Sequence, residues 1–314
     1  MSLVFVAGGT GYIGSRFVEA ALNAGLALCV LTRSRNTANQ LNSRNVKTVI
    51  GDLSEPGPWQ KEAAAADLAM FIAAPPTWGK KVTKQVANDY RKGLSEITQS
   101  FFESLDPHQV QKIVYVAGSS YYGDTGITLA SESKTPTPTG WGPYLAPAVK
   151  KVEEFIQAGY PTVLAFPGMV YGPGSWYDQL ILRPLHRKKN IYGLRHHEPI
   201  ISPIHVEDCG RALLHLLPHG ESGERYFIAD DQPMTMKQLI HYSSEIAEIR
   251  SKELDLPAWL CRMVLGPVVT EYAMANTSLS NQKLKNLGFE FRYPTVQTGL
   301  APVIAEWRQQ HHFV

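Results

Sequence analysis

Leu3-Val4-Phe5-Val6-Ala7-Gly8-Gly9-Thr10-Gly11-Tyr12-Ile13-Gly14 opens the chain and decides its fold. The apolar run over residues 3–7 makes a buried strand. The glycines then lead into a helix expected over 15–24, where Phe17, Val18, Ala21 and Leu22 share one face and Gly25 closes the last turn. Gly8 permits a tight turn out of the strand, Gly11 lets the backbone approach a pyrophosphate, and Gly14 lets the helix pack closely. A dinucleotide pyrophosphate would sit on the helix N-terminus, where unpaired N–H groups and the positive end of the helix dipole favour an anion, with Thr10, Tyr12 and Ile13 around it.

Short β-branched runs alternate with helical patterns downstream, as in βαβ units on a parallel sheet. Further strands are expected at 27–32, 46–50, 68–73, 112–117 and 162–166, with helices over 82–105 and 147–158. After Gly172 this rhythm gives way to Pro- and Gly-rich stretches. The expected class is α/β: a Rossmann doubly wound parallel sheet with a smaller C-terminal substrate-binding lobe. Residues 1–174 form the dinucleotide-binding domain, its sheet completed from 200–230 by a strand at 226–229, and 175–314 form mainly the lobe. Segment 256–269 is apolar but interrupted by Pro257, Arg262, Gly266 and Pro267, so it reads as a packed lobe helix rather than a membrane contact.

Composition excludes several classes of protein. At 314 residues, 44% hydrophobic and 18% charged, the chain can bury about three quarters of its unfolded surface. The formal charge of +2 and the scattered cations give no stripe for nucleic acid. Cys29, Cys209 and Cys261 lack the spacing of a metal knuckle or a disulfide framework, which fits a reducing, cytoplasmic setting and no metal. Neither a signal peptide nor a run of membrane-spanning length is evident.

The end of the second strand selects between nicotinamide cofactors. An acid there would accept hydrogen bonds from a ribose 2′-hydroxyl, but the sequence reads Leu31-Thr32-Arg33-Ser34-Arg35. Cations suit a 2′-phosphate, so NADP(H) is expected, with Arg33 as the principal contact and Ser34, Arg35 and Arg16 as supports. Asp52 and Leu53 would lie beside the adenine, and Ala73, Ala74 and Pro75 along the far ribose.

With the glycine loop and Asp52-Leu53, three later blocks carry a resemblance: Val114-Tyr115-Val116-Ala117-Gly118-Ser119-Ser120-Tyr121-Tyr122-Gly123, Pro167-Gly168-Met169-Val170-Tyr171-Gly172-Pro173-Gly174, and Ile204-His205-Val206-Glu207-Asp208. Over nearly its whole length the chain resembles an extended short-chain dehydrogenase/reductase of the NAD-dependent epimerase/dehydratase family. The resemblance implies a homodimer and a Ser or Thr after the fifth strand. It also implies a Tyr with a Lys four residues on, the Tyr acting as acid or base and the Lys lowering its pKa and holding the nicotinamide ribose.

The sequence departs from that pattern. Gly118 stands at the usual hydroxyl position, with Ser119 and Ser120 displaced by one and two, and Tyr144 is followed four residues later by Ala148, the nearest lysine being Lys150. Two readings stand. Either an altered helix start, shaped by Pro147, brings Tyr144 and Lys150 together over the nicotinamide with Ser119 or Ser120 orienting the substrate oxygen, or Tyr144 is a rim aromatic and Lys150 a solvated residue. In the second case another group transfers the proton, or none does; Tyr121, Tyr122 and Tyr171 are then candidates that otherwise serve as packing.

Segment 175–202 is expected to face the substrate. Its Arg183, Arg187, Arg195, His196 and His197 either grip an anionic group or form a solvated surface, and Trp78, Trp141 and Trp176 near the cleft mouth suit a partly apolar or planar small molecule. His205 and Asp208 read as structural, Asp208 capping a helix through 213–217. The function implied is an NADP(H)-dependent oxidoreductase acting on a carbonyl or secondary alcohol. Nucleotide-sugar epimerisation or dehydration, and a catalytically silent NADP(H)-binding sensor, are the alternatives.

Overall fold

Side-chain alternation along the first strand places the sheet at the centre of the molecule. The computed structural model describes residues 2–77, 81–187, 190–250 and 252–311. In β1 (Leu3–Ala7), Val4 and Val6 enter one buried cluster while Phe5 and Ala7 enter another, so both faces of the strand are covered. It is joined by β2 (Ala27–Thr32), β3 (Lys47–Ile50), β4 (Leu68–Phe71), β5 (Lys112–Val116), β6 (Thr162–Pro167) and β7 (Arg225–Ile228). All pair in parallel, in the order β3-β2-β1-β4-β5-β6-β7. The order reverses between β1 and β4, which opens a crevice at the carboxyl ends of these strands.

Helices α1 (Tyr12–Asn23), α2 (Arg35–Asn42), α3 (Lys84–Glu103), α4 (Gly142–Gln157) and α5 (Val206–His219) connect the strands. Phe101 and Phe102 of α3 and Val149 and Val152 of α4 cover the Phe5 face, and Phe17, Val18 and Ala21 of α1 with Leu213 and Leu216 of α5 cover the Val4 face. A third cluster, holding Tyr177, Leu182, Leu239, Ile240 and Trp307, forms the core of the lobe.

Helix boundaries depart from expectation in instructive ways. α1 begins at Tyr12 rather than residue 15, with Gly11 at its N-cap and no capping side chain. α4 begins at Gly142, a turn before the expected 147, and carries Pro147 inside it. Pro147 and Pro143 are both exposed, so the carbonyl that loses its partner to the proline ring faces water. His205, not Asp208, caps α5: its Nδ1 accepts from the Glu207 amide at 3.1 Å. The Asp208 carboxylate instead accepts from the backbone amides of Arg292 (3.0 Å) and Tyr293 (2.7 Å), tying the C-terminal tail to the sheet layer.

Segment 256–269 is not one packed helix. It divides into the end of a strand (Glu253–Leu256), α6 (Ala258–Leu265) and α7 (Pro267–Met274). Gly266 turns the chain with φ of 93°, where an added Cβ would stand 2.1 Å from the Val82 carbonyl oxygen. One side of α6 meets the lobe through Cys261, while Trp259, Met263 and Val264 are exposed. No helix among the described residues is long and apolar enough to cross a membrane.

Two predictions follow from buried positions. A Cβ on Gly14 would lie 2.1 Å from the Gly8 carbonyl oxygen, so Gly14→Ala should destabilise the fold by roughly 2 kcal/mol, seen as a lowered melting temperature; an unchanged melt would mean the loop yields freely. Asp230, just beyond β7, is 1% exposed, and burial pushes its carboxyl from 3.8 up to about 8. Between those values the folded chain keeps a proton that the unfolded chain has lost. Stability should therefore fall as pH rises through this window, by up to about 1.4 kcal/mol per pH unit. Asp230→Asn should flatten that slope in melts from about pH 5 to pH 8, and an equal slope in both proteins would refute the assignment.

Candidate functional site

The glycine loop is built as a backbone cradle. Gly8 has φ of 88°, and a Cβ there would stand 2.6 Å from the Ala73 amide nitrogen, so the turn presses on the chain leaving β4. The Gly11 amide donates to the Gly8 carbonyl at 3.0 Å. Because no side chain caps α1, its first-turn amides remain available to an anion. Glycine loop and helix end thus fit a dinucleotide pyrophosphate, on the evidence of first-turn amides that no side chain caps. Tyr12 turns from the loop towards the lobe, its hydroxyl buried without a partner, and Ile13 faces the crevice.

Just beyond β2, the Arg33 side chain is 72% exposed and stands 3.6 Å from the Asp52 carboxylate. Asp52 is committed locally, accepting from the Ser54 amide (2.9 Å) and hydroxyl (2.7 Å), and these bonds hold its carboxyl below the usual range. Ser34 caps α2, its Oγ accepting from the Thr37 amide at 3.2 Å, which places Arg33 at the rim of a helix start. Arg16 is paired with Glu306 at 2.5 Å. Leu53 is buried beneath this edge.

At the opposite end lies a crevice of about 350 Å³, lined by Ile13, Ala73 and Ala74 on one side and by Ser119 and Ser120 on the other. Pro75 lies just beyond, against Gly93. Both serines are buried, in a single 3₁₀ turn that follows β5.

The cleft-facing positions of α4 are Leu145 and Val149, one turn apart. Leu145 packs so tightly that a Cβ on Gly118 would be 2.9 Å from its Cδ1. Tyr144 instead packs with Val82, Ala87 and Val268, and Lys150 is exposed. The structure therefore does not bring Tyr144 and Lys150 together over the crevice; the early start of α4 turns them off that face. Tyr121, Tyr122 and Tyr171 also lie outside the lining of the crevice.

Among the described residues, three tyrosines do line it: Tyr115, whose hydroxyl bonds Thr98, Tyr90, which packs on Trp141, and Tyr272 of α7, which the sequence reading passed over and which alone of the three also lines the cavity beyond. Ser119 is the polar neighbour of the Tyr272 hydroxyl, and burial raises its pKa to about 12. The available signal was Gly140, with φ of 58°: a Cβ there would stand 2.7 Å from the Tyr272 Cβ, so only a glycine lets α7 dock against the loop before α4. No sequence rule pairs those distant positions.

Beyond Tyr272 opens a lobe cavity of about 660 Å³, which shares Thr77, Trp141, Gly168 and Tyr272 with the crevice. The 175–202 segment contributes Trp176, Leu180, Tyr192 and His197 to it. Its arginines do not: Arg183 is forked onto Asp178 at 3.0 and 3.1 Å, and Arg195 reaches the Asp255 carbonyl. Trp78 lies outside the described residues.

Comparison with known proteins agrees with this geometry. A ketoreductase of Stigmatella aurantiaca, acting on 4-hydroxy-2-methyl-3-oxo-4-farnesyl-3,4-dihydroquinoline-1-oxide, is 22% identical over 81% of this chain and 75% of its own length. An epimerase family protein of Staphylococcus epidermidis is 25% identical, covering 97% of this chain and 99% of that one. UDP-glucuronic acid 4-epimerase from Bacillus cereus, solved with UDP-glucuronic acid and NAD, superposes with a TM-score of 0.80 at 18% identity, over 98% of this chain and 99% of that one. The family model for the NAD dependent epimerase/dehydratase family matches residues 4–229, and the chain belongs to that family.

Proposed function

We propose that the chain is an NADP(H)-dependent oxidoreductase that reduces the carbonyl of a small molecule, with Tyr272 as proton donor. The observation carrying this reading is the junction at Tyr272: one phenol, beside Ser119, lines both the crevice that runs from the glycine loop and the cavity that would hold a substrate.

In this reading the α1 amides hold the pyrophosphate, Arg33 meets the 2′-phosphate with Ser34 beside it, and Asp52 and Leu53 border the adenine. Ala73, Ala74 and Pro75 flank the far ribose. When bound, the dihydronicotinamide supplies a hydride. Ser119 or Ser120 positions the carbonyl oxygen, and the Tyr272 O–H gives its proton to the developing alkoxide. Leu145 and Val149 keep that face of the crevice dry, which strengthens the polar contacts across it.

The pKa of Tyr272 supports reduction over epimerisation or dehydration. Those reactions begin by removing a proton from an alcohol, which asks for a phenolate. A phenol whose pKa burial raises stays protonated near pH 7, so it can give its proton to an alkoxide but does not begin as the base those reactions need. The ketoreductase relative is consistent with this direction.

Following NADPH oxidation against a ketone panel tests the reading. Tyr272→Phe should cut the rate by roughly 10²–10⁴-fold with NADPH affinity retained, and a variant as fast as the parent would remove Tyr272 from the role. Saturable NADPH binding with no turnover of any carbonyl would favour a silent sensor. For the cofactor, Arg33→Asp should weaken NADPH roughly ten- to hundredfold and NADH far less; equal losses would count against a 2′-phosphate contact.

A further inference from the structure

The lobe cavity has the wrong electrostatics for a nucleotide diphosphate. Among the described residues lining it, Lys237 is the single Lys or Arg, and it is already paired with Glu198 at 2.7 Å and Asp255 at 3.4 Å. Glu198 and Glu253 add negative charge to the same wall. Burying a diphosphate there would leave its charge without a cationic partner, a cost that recognition of such groups normally avoids with Arg or Lys.

What the wall offers instead is apolar surface. Met169, Ile191, Leu194, Ile201 and Ile240 line the cavity between the Tyr272 end and its opening. The opening is itself apolar, because Leu180, Tyr192 and Leu265 line the cavity while remaining 53%, 59% and 38% exposed. The surface continues onto α6 through the exposed Trp259, Met263 and Val264. Large apolar side chains gathered at the mouth of an apolar cavity serve no folding purpose and point to a ligand.

We propose that this cavity binds a neutral carbonyl compound bearing an extended apolar chain, with the carbonyl at the Tyr272–Ser119 end and the chain running along Ile191, Leu194 and Ile240 to the mouth at Leu180, Tyr192 and Leu265. The placement of the carbonyl rests on the reductase reading above; the apolar character of the ligand does not. Binding alone is therefore separable from turnover.

The test is calorimetric titration of NADPH-loaded protein with methyl ketones from butanone to dodecan-2-one, and with UDP-glucose. Each methylene added within the cavity should tighten binding about fourfold, and UDP-glucose should bind more weakly than the long ketones. Affinity that is flat with chain length, or tighter for UDP-glucose, overturns the proposal. The double variant Leu180→Glu/Leu265→Glu changes exposed positions that the fold tolerates, and should weaken dodecan-2-one about tenfold; unchanged affinity with an intact melt would also overturn it. Chain-length-dependent binding without NADPH oxidation would leave the cavity assignment standing and sink the reductase reading. Oxidation of NADPH by short polar carbonyls alone would do the reverse.

Discussion

An uncapped helix end pressed against a strand by two glycines is the constraint on which this structure depends. Gly8 has no room for a Cβ against the backbone of Ile72 and Ala73, and Gly14 has none against Gly8. That interlock fixes α1 directly behind β1 and leaves its leading amides without side-chain partners. It also lies where the strand order reverses, so the open amides, the end of β4 and the turn after β5 face one crevice. Everything placed around the crevice takes its position from that arrangement.

Across from this cradle, the α4 face departs from the Tyr-and-Lys pattern that the resemblance implies. A tyrosine and a lysine one turn apart would place a phenol and a cation over the nicotinamide ribose. Here Leu145 and Val149 occupy the positions one turn apart. Without an ammonium beside it, a phenol in the crevice is not driven towards phenolate; burial outweighs the opposing Ser119 hydrogen bond and raises the pKa of Tyr272. The same exchange leaves this face of the crevice apolar.

Most of the sheet was legible in the sequence because its strands are short apolar runs read by periodicity alone. β1 and β2 fall at the residues expected, and β7 begins one residue before its expected start. Helix starts were less legible. α1 has Gly11 at its N-cap and no capping side chain to mark its start, and α4 begins before a proline that usually marks a first turn. The register of α4 could not be read from spacing, since a shift of one residue exchanges Tyr144 for Leu145 at the crevice. Tyr272 was hidden for a different reason: its position depends on contact between α7 and Gly140, more than a hundred residues apart, and local pattern carries no information about such pairs.

The break at Gly266 connects these observations. Had the segment after Pro257 continued as one helix, α7 could not turn against the loop before α4, and Tyr272 would not stand beside Ser119. The φ of 93° at Gly266, wedged on the Val82 carbonyl, redirects the chain so that α6 runs along the cavity mouth while α7 closes the far end. One residue without a side chain therefore sets both ends of the lobe cavity: the phenol that meets the crevice and the exposed apolar lip. A larger residue there would have to displace the start of α3 or straighten the α6–α7 turn, and either movement would separate the two ends that the cavity brings into line.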